Sequence, residues 1–243
     1  HYNPGDGELP GPPLLLKWAG IIPVALRGTP FAGYLERRTR AMTLHTSREP
    51  AKTRRPIMEL LAKRWSPKAF KLEIPTEDEL ISMFEAARWA PSCFNNQPWR
   101  YLVTTRDDPE VFSRALGCLT QANAAWVRNT PLLAFQVMRE AFEYNEKPNP
   151  WSGLDCGLAM AQLIIQAESM GWSVHVMAGF SRDRVRAAFG VPEGFRPMVA
   201  FVIGKEGDPD TLPPDDRVEE RAPRVRKELE ETVFSDQWGK SLF

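Results

Sequence analysis

The sequence is poor in the residues and patterns that most often announce a function. Its 243 residues include only three cysteines, Cys93, Cys118 and Cys156, with no CxxC spacing among them. An odd, sparse count argues against a disulfide framework and fits a reducing compartment, read as the cytoplasm. The three histidines, His1, His45 and His175, form no HExxH or other paired ligand pattern, so no metal site is expected. Neither sign of charge is in excess. Lys and Arg number 31, as do Asp and Glu, so nothing drives a general affinity for nucleic acid. Glycine-rich phosphate cradles are missing as well, since neither GxGxxG nor a Walker A loop occurs. The apolar run from Leu14 to Leu26 is interrupted by Lys17 and Pro23 and is too short to span a bilayer. No basic segment precedes it, as one would in a signal peptide, and no membrane association is expected.

What is present reads as one domain behind an extension. A hydrophobic content of 43% is enough for a packed core. Residues 1–55 form the expected N-terminal extension: His1 to Pro13 is rich in Gly and Pro, and basic clusters follow at Arg37-Arg38-Thr39-Arg40 and Arg54-Arg55. Met42 marks an expected natural start, with the upstream part added; the alternative is a flexible arm that docks on a partner subunit. From Pro56 the pattern becomes regular, with Ile57, Leu60 and Leu61 at helical spacing. Thr76 and Glu79 make a capping box for a second helix, which ends before Pro91. Alternation predicts strands over Trp99–Thr105, Leu132–Met138, Ser173–Met177 and Met198–Ile203. Helices are expected over Pro109–Leu119, Arg182–Phe189 and roughly 154–170. The last of these is apolar nearly all round, which suits a core or a subunit interface. Helices and strands intermix without βαβ alternation, and the fold class is therefore α+β, 56–243 being its domain.

Two polar segments stand out between these elements. In Arg64-Trp65-Ser66-Pro67-Lys68-Ala69-Phe70, extended backbone would put Arg64, Ser66 and Lys68 on one side, suited to a phosphate or an anionic ring edge. A solvated basic edge would look the same. In Ala90-Pro91-Ser92-Cys93-Phe94-Asn95-Asn96-Gln97-Pro98-Trp99, carboxamides between two prolines match the pyrimidine edge of a flavin or nucleobase. Equally, Ser and Asn in such a loop can satisfy their own backbone. Residues 141–151, with two prolines and three aromatics, read either as a substrate lid or as a plain connection. Trp126, Trp151 and Trp172 are either stacking or packing residues.

Taken together, the two segments resemble the nitroreductase family, whose pattern runs RxSxKxF and then APSxxNxQPW. Asp155-Cys156-Gly157-Leu158-Ala159 through Gly179-Phe180 resembles that family's central helix and glycine turn, and Pro223-Arg224-Val225-Arg226 its closing basic motif. The resemblance spans about residues 56–243. It implies a three-layer sandwich, with a mixed, mainly antiparallel sheet flanked by helices and a C-terminal extension packing on the partner of a homodimer. It also implies FMN at the subunit interface, the phosphate near Arg64, Arg224 and Arg226, and Ser66 and Lys68 toward the ribityl chain and the N1/O2 side of the ring. Pro91, Ser92, Asn95 and Gln97 would line the ring edge, Gly179 would admit backbone close to it, and Asn123 falls where some members touch flavin.

The chain departs from the family at Cys93, often Ser there and most simply a small buried residue, and at Ala178, where some members carry Glu. His175 reads as a satisfied core histidine rather than a catalytic one. The implied activity passes hydride from NADH or NADPH through flavin to an electron-poor acceptor such as a nitroaromatic or quinone, with no catalytic side chain needed. The same scaffold could serve dehalogenation or dehydrogenation, or bind flavin without turnover. A basic-arm interaction protein built on residues 37–55 is the remaining alternative.

Overall fold

The computed structural model describes residues 48–243, all within the unit Met42–Phe243. The part of the expected extension up to residue 47 lies outside the described residues. Residues 48–55 are fastened to the domain. The Ala51 amide donates to the Ala62 carbonyl at 2.8 Å, and Arg224 donates to the Glu49 carbonyl at 2.8 Å.

Four strands form one sheet in the order β1-β2-β4-β3: β1 Trp99–Thr105, β2 Leu132–Arg139, β3 Ser173–Met177 and β4 Phe195–Gly204. Every pairing is antiparallel, and the β2–β4 register shifts between Gln136 and Val137. Strand β2 is buried on both faces, which explains why it reads as a continuous apolar run. Its Leu133, Phe135 and Val137 face one cluster, with Phe112, Trp126 and Val185. Leu132, Ala134 and Met138 face another, with Met83, Cys156, Leu163 and Trp172. The first cluster draws on helices α3 (Pro109–Leu116), α4 (Gln121–Val127) and α6 (Arg182–Phe189). The second draws on α2 (Glu77–Arg88) and α5 (Ser152–Ser169). Helices on both faces of an antiparallel sheet make the α+β three-layer sandwich. Two short α-helices complete the set among the described residues, α1 (Glu59–Lys63) and α7 (Pro214–Arg221).

The capping box at α2 is present and extended. Thr76 N–H donates to the Glu79 carboxylate at 2.8 Å, and the other oxygen of that carboxylate accepts from Trp172 Nε1 at 3.0 Å. A helix start thus ties α2 to the approach of β3. Trp126 and Trp172 are both core residues, whereas Trp151 is exposed. Among the described residues no helix is long and apolar enough to cross a membrane.

Candidate functional site

Residues 64–70 form an extended strip whose side chains alternate: Trp65, Pro67 and Ala69 are buried, while Arg64, Ser66 and Lys68 reach the surface. The strip is sewn to the end of β4 and the residues after it. Lys71 N–H donates to the Lys205 carbonyl and Gly207 N–H to the Ala69 carbonyl, each at 2.9 Å, and Trp65 Nε1 donates to Glu206 at 2.6 Å. Gly207 permits this contact, because a Cβ there would lie 2.7–2.9 Å from the Phe70 backbone.

Against the outer side of this strip lies the segment from α7 to Arg226. A cavity of about 380 Å³ forms between them, lined by Arg64, Ser66, Lys68, His175, Arg224 and Arg226 among others. The structure therefore brings together most of the residues that the family resemblance assigns to the phosphate and ribityl chain. Their engagements differ. Among the described residues Arg64 makes only a 3.4 Å contact to Ser66 Oγ, and Arg226 bonds only its neighbour, the Val225 carbonyl. Both terminal nitrogens of Arg224 are already engaged, donating to the carbonyls of Glu49, Ala62, Lys63 and Arg64. Its guanidinium caps the C-terminal carbonyls of α1, where a cation complements the helix end. Burial, together with the neighbouring Arg48, Arg64 and Arg226, lowers the Arg224 pKa.

Lys68 carries partners that the sequence did not reveal. Its Nζ pairs with Asp216 and Glu219 of α7, each at 2.6 Å. Burial pulls the Lys68 pKa down, but the bonds to these two carboxylates outweigh it and raise the ammonium overall. A further acid of α7, Glu220, is buried and accepts from the Lys68 and Ala69 amides at 3.0–3.1 Å. His175 donates from Nδ1 to the Pro67 carbonyl at 2.8 Å and packs on Trp126. Burial lowers its pKa, consistent with a neutral, satisfied histidine.

Behind the arginines, near the end of α5, lies Glu168. Burial, reinforced by Glu206, pushes its carboxyl up to about 7 despite Arg64, Arg224 and Lys63. The ionised form is favoured in the unfolded chain above about pH 4.5, so the folded state loses stability as pH climbs from there to 7. Glu168→Gln is expected to be the more stable protein at pH 8, by up to about 3 kcal/mol, with the difference vanishing near pH 4.5. Urea unfolding of both proteins at the two pH values measures this. A difference independent of pH would show that Glu168 is not the titrating group.

The carboxamide loop is elsewhere. Pro91 and Ser92 line a cleft with Cys93, Trp151, Leu154, Asp155 and Leu158, and none of Pro91, Ser92, Asn95 or Gln97 lines the arginine cavity. The loop satisfies itself: Ser92 Oγ accepts from Gln97 N–H at 3.0 Å, and Gln97 Nε2 donates to Asn95 Oδ1 at 3.1 Å. Phe94, Asn95 and Gln97 all have positive φ, at 51°, 54° and 47°, a cluster of backbone strain that needs firm anchors. Two are visible. The Cys93 amide donates to the Asp155 carboxylate at 3.2 Å, and buried Asn96 accepts from Glu143 N–H at 2.8 Å. The same Asn96 bond ties Glu143, within the segment 141–151 considered as a lid, to the carboxamide loop. Asn123 and Gly179 meet directly, with Asn123 Nδ2 donating to the Gly179 carbonyl at 3.0 Å. A Cβ on Gly179 would lie 2.4 Å from that nitrogen. Of the cysteines, Cys156 is pushed up to about 12 by burial, which leaves it inert as a nucleophile. Among the described residues no cluster of His, Cys, Asp or Glu is arranged to hold a metal ion.

Known proteins share this arrangement of elements. A crystal structure described as an oxidoreductase containing FMN is 29% identical, with a TM-score of 0.74 over 81% of this chain and all of that one. A 15.4 kDa protein of Mycolicibacterium smegmatis, encoded in the ask 5' region, is 42% identical over 55% of this chain and 88% of its own. The iodotyrosine deiodinase of Thermotoga neapolitana is 24% identical over 67% of this chain and 95% of its own. The model of the nitroreductase family matches residues 61–205, from the end of α1 to just past β4, and the chain belongs to that family.

Proposed function

We propose that the protein is a cytoplasmic, homodimeric FMN-dependent oxidoreductase whose flavin-binding domain is residues 56–243. When bound, FMN supplies the hydride transfer between NADH or NADPH and an electron-poor acceptor such as a nitroaromatic or quinone. The observation that carries the reading is the convergence of Arg64 and Ser66 with Arg226 on one cavity. Arg64 and Arg224, 160 residues apart in the chain, are bonded across its wall. The donors fit a phosphate dianion: Arg64 and Arg226 are permanently charged, forked and committed only to weak or local bonds. Arg224 adds charge and fixes the wall without a free fork. Lys68 stays protonated in its pairs with Asp216 and Glu219 and would face the N1/O2 side of a bound ring, next to neutral His175. The Gly179 and Asn123 pair supplies a close backbone approach and a carboxamide.

Ser92, Asn95 and Gln97 belong to the same site by way of a second copy. The cleft that Pro91 and Ser92 line is bordered by exposed Trp151, Leu154 and Leu158, an apolar rim on the exposed side of α5 that suits a subunit contact. The exposed Trp238 and Phe243 of the C-terminal tail suit the same contact.

Purified protein is expected to be yellow and to release FMN on denaturation. Anaerobic NADH or NADPH should bleach it, and a panel of a nitroaromatic, a quinone and an iodinated aromatic should restore the colour to different extents. The iodinated compound is included because of the deiodinase relative. A colourless preparation that also fails to bind added FMN would overturn the reading. Flavin that neither nucleotide reduces would leave a binding protein without this turnover.

A further inference from the structure

A second and larger cavity, about 460 Å³, shares Arg64, Arg224 and Arg226 with the first and extends away from Ser66 and Lys68. Its other walls are residues 51–55, the exposed side of α1 and residues 227–229. Basic side chains dominate the lining, and its lone acid is Glu228. The backbone there is held at the short turn Leu229–Glu231, where the Glu228 carbonyl accepts from the Glu231 amide and the Glu228 amide donates to the Glu231 carboxylate, each at 3.1 Å. Arg54 is paired with Glu230. Lys52, Arg55 and Lys227 remain, and among the described residues they pair with no carboxylate. None of these three lines the cavity that holds Ser66 and Lys68.

In a chain of zero formal net charge, three unpaired cations beside a wall of arginines are a local concentration of like charge that an anion would relieve. The wall itself is built rather than loose. Residues 49–54 are fixed by the bond from Arg224 to the Glu49 carbonyl, by the bond from Ala51 to Ala62, and by the Arg54–Glu230 pair. The lining also has an apolar side. Ile57, Leu61 and Leu229, large aliphatic groups, line this cavity and are each between 43% and 48% exposed. A lining that combines cations with aliphatic surface matches a flat, weakly polar ring attached to a phosphate. The volume falls within the range of small-molecule sites and is far more than a bare ion needs.

We propose that this cavity binds a phosphorylated nucleoside, its phosphate on Lys52, Arg55 and Lys227 and its base against Ile57, Leu61 and Leu229. The ligand is distinct from the flavin of the neighbouring cavity and is either the 2′-phosphoadenosine end of the nicotinamide donor or a free nucleotide. The site does not require flavin next door, so it stands or falls apart from the reading above.

The test is a titration of the full chain, as purified, with adenosine 2′,5′-bisphosphate, 5′-AMP and inorganic phosphate at low salt, repeated with Lys52→Ala/Arg55→Ala/Lys227→Ala. These side chains are exposed, so the variant is expected to fold, and its flavin absorbance per chain should equal that of the wild type. Saturable binding of at least one nucleotide is expected, weakened about tenfold or more in the variant and by added salt. Preference for the bisphosphate, with NADPH but not NADH weakened in the variant, identifies the donor as the source. Equal binding of both nucleotides with NADPH unaffected identifies a free nucleotide. Unchanged nucleotide affinity in the variant, or no saturable binding to the wild type, overturns the site. Inorganic phosphate binding as tightly as either nucleotide overturns the nucleoside assignment, and flavin lost together with nucleotide binding overturns the claim of a separate ligand.

Discussion

Alanine at Arg64 and Arg226 together is expected to lower FMN affinity by about a hundredfold to ten-thousandfold while leaving the fold in place. Hydrogen bonds to a charged group contribute about 1.5–3 kcal/mol each, and each tenfold of affinity is about 1.4 kcal/mol. Neither side chain ties the described elements together, since among the described residues Arg64 touches Ser66 at 3.4 Å and Arg226 bonds only to Val225. Arg224 makes the contrast. Removing its guanidinium strands the carbonyls of Lys63 and Arg64 at the end of α1, leaves Ala62 with the Ala51 amide alone, and releases Glu49. Arg224→Ala should therefore lose flavin and stability together, by about 2–4 kcal/mol of the latter. Lysine is a poor substitute there, because an ammonium lacks the fork that spans four carbonyls. Fluorescence titration of apoprotein with FMN, set beside thermal melts, separates the two behaviours. A double Arg64/Arg226 variant that binds FMN as the wild type does would put the phosphate somewhere else.

This division of labour among three arginines was invisible in the sequence, although the residues themselves were not. The order of strands and the main helices were legible because their physics is local. Trp99–Thr105 and Ser173–Met177 alternate or run apolar between breakers, and Thr76 with Glu79 announces a helix start. Helix α7 went unread for a physical reason. Its sequence PDDRVEER has no apolar stripe, and its single Val218 is 72% exposed. The helix is held by buried Glu220 bonding to the Lys68 and Ala69 amides, a long-range contact with no periodic signature. The short helix α4 was missed as well, though Thr120 caps it and Asn123, expected at the site, sits on it. Asp216 and Glu219 are therefore the additions that change the chemistry, since they share the one cation assigned to the ring. The carboxamide loop taught the converse. Its residues were named from the sequence, but their distance from the arginine cavity depends on chain packing, which no local pattern encodes.

Gly207→Ala should be the most disruptive single methyl in the domain, although it touches no proposed ligand contact. A Cβ at this position would meet Phe70 C at 2.7 Å and Phe70 N and O at 2.9 Å, all backbone atoms with no rotamer to yield. Relief requires the strip 64–70 to part from residues 205–207. That breaks the 2.9 Å bond from Gly207 to Ala69 and loosens the Trp65 bond to Glu206. Forced overpacking of this kind costs about 1–3 kcal/mol, and a lost buried backbone bond adds about 1 kcal/mol or more. For a domain of this size about 3 kcal/mol corresponds to a drop in melting temperature of roughly 6–12 °C. Gly117→Ala is the matched control. Gly117 is already helical, with φ −60°, and its added Cβ would find only carbonyl oxygens at 3.4 Å and 3.7 Å. The same methyl there should leave the melting temperature within a few degrees of the wild type or raise it, because alanine restricts the unfolded chain. If both variants melt alike, the strip is not clamped by Gly207. If only Gly207→Ala is destabilised and it also binds FMN more weakly, the strip that presents Arg64, Ser66 and Lys68 owes its position to that one backbone contact.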